Sequence, residues 1–276
     1  MITDIKSVNW HLTSKCNYNC KFCYMQNFNQ DTLDISTAKN ILKKFRSLYI
    51  DKINFVGGEP LLSPLICDIM KAAKRMGFTV SVTTNGSLLN EKIIHKLSSY
   101  VDWIGLSVDS AHESIEKKLG RGVGNHVKHT KEISKIIRAK GIKLKINTTV
   151  TKYTINEDMT EFIREILPNR WKVFQFLYIK EQNDQCVTEL SITDDEFVCF
   201  KELNKPVELD GIKSVVFEKC DDMLDSYFMI SPSGNVLMNH NGVYSEIPLD
   251  FINVENIADI INHKKYANRG GLYDWN

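Results

Sequence analysis

The 276-residue chain can bury one large core or two modest ones, and 43% hydrophobic with 25% charged residues excludes collagen-like and disordered classes. Its 35 lysines and arginines nearly balance 34 aspartates and glutamates, so global charge gives no reason to expect nucleic acid or a membrane surface as a partner, and an anion site must come from local clustering. No apolar run approaches the ~20 residues of a membrane helix, and the opening MITDIKSVNWHLT lacks the basic flank and apolar stretch of a signal peptide; a cytoplasmic location is expected.

In chain order, β-rich runs near Val8–Thr13, Lys52–Val56, Thr79–Thr84, Asp102–Val108, Lys143–Val150 and Trp171–Tyr178 read as strands. Between them, amphipathic segments near Ser36–Leu48, Ser63–Met76, Asn90–Ser99, His126–Ala139 and Glu157–Leu167 read as helices, with Ser36, Ser63 and Asn90 as N-caps. This alternation predicts an α/β fold, a partial (β/α)6 barrel over residues 1–180; a closed eight-stranded barrel or a doubly wound open sheet would alternate in the same way. Beyond Lys180 the pattern breaks down. A helix near Thr193–Leu203 and small strands near Lys213–Phe217, Ser226–Ile230 and Val236–Asn239 predict that residues 181–276 form a C-terminal extension closing the open face of the barrel.

Seven cysteines, an odd number in a reducing compartment, point to metal ligation by any tightly spaced subset. Only Cys16, Cys20 and Cys23 qualify, directly after the first strand and so at the barrel end where active sites gather. Thiolates suit iron–sulfur clusters or zinc. Structural zinc takes four ligands, and His11 is the only nearby candidate for a fourth. Cys67, Cys186, Cys199 and Cys220 are scattered and read as ordinary thiols. After the second strand, Gly57-Gly58-Glu59-Pro60 lets backbone pass close to a ligand. Thr84-Asn85-Gly86-Ser87 and Ser107-Val108-Asp109-Ser110 follow the next two strands and are either ligand contacts or turns and caps. Arg121, flanked by glycines, can clamp a carboxylate.

Lys145 with Asn147, and Arg170 with Lys172, repeat every second residue and so share a strand face; Lys52 begins the second strand, and Arg269 lies in a glycine-rich tail. Singly, each cation is most simply a solvated charge. Together they would repel unless an anion such as a triphosphate bridges them.

The CxxxCxxC spacing, with an aromatic residue before its last cysteine, resembles the signature of the radical S-adenosylmethionine superfamily. That resemblance implies a 4Fe-4S cluster on Cys16, Cys20 and Cys23, and S-adenosylmethionine contacted by Gly57, Gly58, Glu59, Asn85, Ser107 and Arg121. A narrower likeness covers almost the whole chain: Ser7-Val8-Asn9-Trp10-His11, Lys52-Ile53-Asn54-Phe55, Gly120-Arg121-Gly122, Lys145-Ile146-Asn147, Arg170-Trp171-Lys172-Val173-Phe174-Gln175, Asp225-Ser226-Tyr227 and Arg269-Gly270-Gly271 resemble the viperin family. It implies conversion of a nucleoside triphosphate to its 3′-deoxy-3′,4′-didehydro analogue, an antiviral chain terminator. The substrate contacts implied are Asn9, Lys52, Lys145, Asn147, Arg170, Lys172 and Arg269, with Tyr227 catalytic in a late hydrogen or electron transfer, and an external donor of flavodoxin or ferredoxin type supplying electrons.

No counterpart of the animal proteins' amphipathic N-terminal helix is read ahead of Ser7, and the expectation is a soluble prokaryotic homologue. Val56 stands in place of their serine, and Ser231-Pro232-Ser233-Gly234-Asn235 differs from theirs. CTP is the favoured base, with UTP tolerated through contacts from Ser233, Asn235, Asn239 and Asn241; the same reaction on UTP or GTP is the alternative. Rival functions are a radical maturase of a peptide or RNA and a non-catalytic iron–sulfur scaffold.

Overall fold

A computed structural model describes residues 5–28, 33–205, 215–271 and 275. Strands β1 (Ser7–His11), β2 (Lys52–Val56), β3 (Thr79–Thr84), β4 (Trp103–Ser107), β5 (Lys143–Val150) and β6 (Arg170–Gln175) pair side by side in chain order, all parallel. The connections carry helices α1 (Ile35–Ser47), α2 (Ile66–Arg75), α3 (Glu91–Leu97), α4 (Glu113–Lys118), α5 (His126–Ala139) and α6 (Thr160–Ile166). A doubly wound sheet would reverse its strand order at a switch point, and this one does not. Nor do its described edges meet: β7 (Val215–Glu218) adds in parallel beyond β6, while β8 (Met229–Ile230) adds in parallel beside β1 and continues into antiparallel β9 (Val236–Met238) and β10 (Ser245–Ile247). The architecture is a partial barrel with a parallel sheet, extended at both edges by the C-terminal part of the chain.

Alternation explains why one sequence serves both surfaces of this sheet. Val8, Trp10, Ile53, Phe55, Val80, Val82, Ile104, Leu106, Leu144, Ile146, Trp171 and Val173 face the helices and form one apolar core. Their neighbours in sequence, from Asn9 and Asn54 to Lys145 and Lys172, line the interior. Trp10 packs between Phe45 of α1 and Phe55, with ring centroids 5.6 and 5.7 Å away. Phe228, Ile230, Val236, Leu249, Ile257 and Tyr266 join the same core. Tyr266 also accepts hydrogen bonds at its hydroxyl from the amides of Lys6 and Ser7, both at 3.1 Å, tying the C-terminal region to the first strand.

Local details differ from the sequence reading where short-range polar chemistry decides. Asp34, not Ser36, caps α1, because its carboxylate accepts from the amides of Ser36 at 2.7 Å and Thr37 at 2.9 Å. Ser63 ends a single 3-10 turn, Pro60–Leu62, and α2 begins at Ile66 without a side-chain cap. Asn90 caps α3 as expected, accepting from Ile93 N at 3.0 Å. α4 went unread because ESIEKK is too short and too charged to show apolar periodicity. Of the strand expected at Lys213–Phe217, residues 213 and 214 lie outside the described residues, and β7 runs on to Glu218. No described helix is long and apolar enough to cross a membrane.

Candidate active site

The loop after β1 carries the three cysteines to the mouth of a cavity of about 910 Å³ at the C-terminal ends of the strands. Cys16 is exposed, while Cys20 and Cys23 are half-buried, and all three line the cavity. Backbone contacts from two glycine motifs hold this loop. Gly58 N donates to Thr13 O at 2.7 Å and Glu59 N to Lys15 O at 2.8 Å; a Cβ on Gly58 would stand 2.3 Å from Lys15 O. From the other side, Lys21 N donates to Leu119 O at 2.9 Å, and a Cβ on Gly120, whose φ is +84°, would stand 2.1 Å from Asn19 O. The glycines thus shape the cysteine loop itself.

Burial pushes the Cys20 thiol up to about 12, against the opposing charge of Arg121, and raises the Cys23 thiol too. A ligated metal must therefore displace these protons as it binds. Three thiols within eight residues, with no fourth cysteine in the loop, fit the three-thiolate holding of a cubane better than the four-ligand site of structural zinc. His11, at the end of β1, is buried, with its pKa lowered to about 3 by burial, and Nδ1 has no hydrogen-bond partner.

Around the mouth, Gly57, Gly58, Asn85, Ser107 and Arg121 line the cavity. Glu59 does not: fully buried, it accepts from Leu61 N at 3.0 Å, Thr84 Oγ1 at 2.8 Å and Asn85 N at 2.8 Å, so it locks the glycine turn to the end of β3. Asn85 Nδ2 donates to Asn17 Oδ1 at 2.9 Å, reaching into the cysteine loop. Arg121 Nε donates to Asp109 Oδ2 at 2.5 Å and lies 3.5 Å from Glu116 Oε2. Burial raises the Glu116 carboxyl well above its usual range, and the neighbouring Asp109 charge adds to that. Asp109 and Glu116 together hold the guanidinium in place. Glu116 escaped the sequence reading because its helix did.

The opposite, N-terminal ends of the strands form a cationic floor. In register, Gly105 of β4 stands beside Lys145 of β5, which stands beside Arg170 of β6; two residues on, and so on the same face, Ser107, Asn147 and Lys172 align. A Cβ on Gly105 would lie 2.8 Å from Lys145 Cε, so this glycine makes room for the lysine. Lys52, Lys145, Lys172 and Arg269 line the cavity, and Arg170 is buried next to them. Burial, then repulsion from Lys172 and Arg170, lowers Lys145 to about 7. Burial likewise lowers Lys172, to about 8, with Glu218 opposing the fall. Lys52 falls well below its usual value through burial and the charges of Lys145, Arg170 and Lys172.

Between mouth and floor the lining is amide and hydroxyl. Asn54 Nδ2 donates to Asn9 Oδ1 at 3.0 Å, and Thr83 Oγ1 donates to Asn54 Oδ1 at 3.0 Å. Asn147 Oδ1 is buried without a hydrogen-bond partner, as a ligand-binding group would be. Tyr227 also lines the cavity, its hydroxyl donating to Glu218. Glu218 was missed, although alternation along Val215–Glu218 turns it inward beside Phe174. Ser233 and Asn235 lie elsewhere: both bond Glu246 at 2.9 Å beside a separate depression, because the β8–β9 turn points away from the cavity. Asn239 lines the cavity but accepts from Asp225 N and donates to Met223 O. Asn241 sits on a turn with φ of +51°.

Residues 10–166 match the Radical SAM superfamily, whose members bind a 4Fe-4S cluster and S-adenosylmethionine. The chain is 37% identical to an S-adenosylmethionine-dependent nucleotide dehydratase of Flammeovirga pacifica, covering 98% of this chain and 96% of that one. It is 32% identical to proteins of the same name from a Thermoplasmatales archaeon, over 99% of this chain and 98% of that one, and from Danio rerio, over 99% and 79%. The chain belongs to the viperin family. The viperin fold is shared more widely: the Streptococcus suis SuiB structure bound to precursor peptide SuiA aligns with a TM-score of 0.70 at 16% identity, covering 96% of this chain and 67% of that one. The anSMEcpe structure with bound AdoMet aligns at 0.70 and 15%, covering 95% and 82%. Those two likenesses concern the fold alone.

Proposed function

We propose that this viperin-family chain dehydrates a nucleoside triphosphate, CTP favoured, to its 3′-deoxy-3′,4′-didehydro analogue. The observation that carries this reading is one cavity with chemically opposite ends: three thiols at the mouth and the cations Lys52, Lys145, Lys172 and Arg269, backed by Arg170, at the floor. A volume of about 910 Å³ accommodates a cofactor and a nucleotide together. When bound, the cluster and S-adenosylmethionine supply a carbon radical able to take hydrogen from C4′ of the sugar.

Every other role falls to the chain. Cys16, Cys20 and Cys23 would hold the cluster, and Gly57, Gly58, Asn85, Ser107 and Arg121 the cofactor, with Glu59 acting through the glycine turn. The floor cations would grip the phosphates, placing the sugar at the level of Asn9 and Asn147. Burial, then the Glu218 charge, raises the Tyr227 phenol well above its usual pKa, so it keeps its proton at neutral pH and can serve as a late hydrogen donor. Residues 181–276 would close the site by bringing Glu218, Tyr227 and Arg269 to it. A flavodoxin- or ferredoxin-type protein in the cytoplasm would deliver electrons at the exposed Cys16 side.

The product would lack the 3′-hydroxyl that a polymerase extends and so would act as a chain terminator, the chemistry that an antiviral role would use. The preference for CTP rests on the family framework alone, since Ser233 and Asn235 are spent on Glu246. Anaerobic turnover with CTP, UTP, GTP and ATP presented together tests both levels. CTP should yield a product lighter by one water, with some UTP converted. Exclusive conversion of GTP or ATP refutes the pyrimidine choice, and cofactor cleavage with no nucleotide altered refutes the substrate class.

A further inference from the structure

The cationic floor contains a carboxylate that a polyanion site has no need of. Glu218, the last residue of β7, is fully buried. One of its oxygens ion-pairs with Lys172 Nζ, and the other accepts a hydrogen bond from the Tyr227 hydroxyl. Lys172 Nζ also donates to the Tyr227 oxygen at 3.0 Å, closing a triangle drawn from three separate segments of chain. Arg269 buttresses it: its guanidinium lies 3.6 Å from the Tyr227 ring centroid, and its Nε donates to Ser226 O at 2.9 Å. A negative charge here repels incoming phosphates, so its presence calls for a compensating role.

We propose that Glu218 is a positioning residue of the reaction site, holding Lys172 charged and aimed in the empty cavity and fixing the Tyr227 hydroxyl before the nucleotide arrives. The inference rests on the nucleotide reading above. Burial lowers both Lys145 and Lys172, and the Glu218 charge opposes the fall in both, but Lys172 is the one of the two that also ion-pairs directly with the carboxylate. The groups facing Lys172 are Lys145 from β5, Arg170 from its own strand, Arg269 from the tail, and Tyr227 and Glu218. The cations among them work against its charge, and Glu218 works for it.

Glu218→Gln tests this by sign. If the carboxylate merely repelled phosphate, the neutral amide would bind nucleotide more tightly. On the proposal, CTP affinity of the anaerobically reconstituted protein falls about tenfold near pH 8, and by a smaller factor near pH 6.5, where more of Lys172 holds its proton without the carboxylate. Binding of cytidine, which has no phosphate, stays within about twofold at both pH values. Tighter or unchanged CTP binding overturns the proposal, as does an equal loss for CTP and cytidine at both pH values, which would mark a packing defect. Glu218→Asp keeps the charge but is too short to reach both partners, and it serves if the glutamine variant fails to fold. Its CTP affinity should remain within about threefold of wild type while product formed per cofactor cleaved drops at least about threefold, because Tyr227 is released. Unchanged coupling in that variant overturns the proposal. Wild-type protein that binds no nucleotide in the same assay refutes the nucleotide reading instead.

Discussion

Replacing Lys145 with methionine should make the empty protein more stable and the enzyme worse. Lys145 is 8% exposed, and its pKa falls from 10.5 to about 7, first through burial and then through Lys172 and Arg170. A shift of that size sets about 5 kcal/mol against the folded state at or below neutral pH. The unfolded chain keeps this lysine charged up to its ordinary pKa, whereas the folded chain sheds the proton near neutrality. The destabilisation is therefore complete below about pH 7 and is relieved as pH rises toward about 10. Methionine fits the same slot beside Gly105 without a charge, but it leaves polar neighbours facing an apolar chain. A net gain of about 1–3 kcal/mol, or roughly 3–8 °C in Tm, is expected near pH 6.5, shrinking at higher pH. CTP affinity should drop by about one to two orders of magnitude. Thermal unfolding of the nucleotide-free protein across pH, paired with equilibrium binding, measures both. A Lys145→Met protein that melts lower at pH 6.5, or that binds CTP like wild type, would refute the argument.

Cys20→Ala should abolish the brown chromophore and S-adenosylmethionine cleavage, read by absorbance and 5′-deoxyadenosine release; full cleavage would remove Cys20 from the cluster. Gly58→Ala drives a methyl group to 2.3 Å from Lys15 O and should lower iron content after reconstitution by displacing the cysteine loop. Normal iron loading would show that the loop yields without cost. Lys172→Ala should weaken CTP binding about ten- to a hundredfold while slow, nucleotide-independent cofactor cleavage survives; undiminished binding in an equilibrium assay would move the phosphate site elsewhere.

The barrel strands were legible because each carries two messages at once, apolar toward the helices and polar toward the interior, as in Lys145-Ile146-Asn147. The cysteine spacing was legible because soft ligands packed into eight residues have few other uses. What escaped depends on meetings between distant segments. Glu218 is an unremarked acid in a four-residue strand until β7 sets it beside β6, and Glu116 is a surface-type residue until its helix turns it toward Arg121. Gly58 reads as a ligand-facing glycine and Gly120 as a flank of Arg121, yet what each most nearly touches is the cysteine loop. The expected base contacts at Ser233 and Asn235 failed for the same reason: hydrogen-bonding capacity is visible in sequence, but the direction of a turn is not.

The two edges of the barrel are tethered by very little chain. β7 and β8 stand at opposite ends of an eight-strand stretch of sheet, and only the ten residues 219–228 join them. Laid flat, seven interstrand spacings would separate those edges by about 34 Å. The tether holds a helical turn at Cys220–Met223, so the eleven steps from Glu218 to Met229, at ~1.5 Å per helical residue and ~3.4 Å for the others, reach only about 30 Å. A flat sheet would snap this drawstring. The curl that makes a chamber out of the sheet is thus fixed by covalent length as well as by strand twist, and lengthening those ten residues would slacken the chamber without altering a single residue that lines its floor.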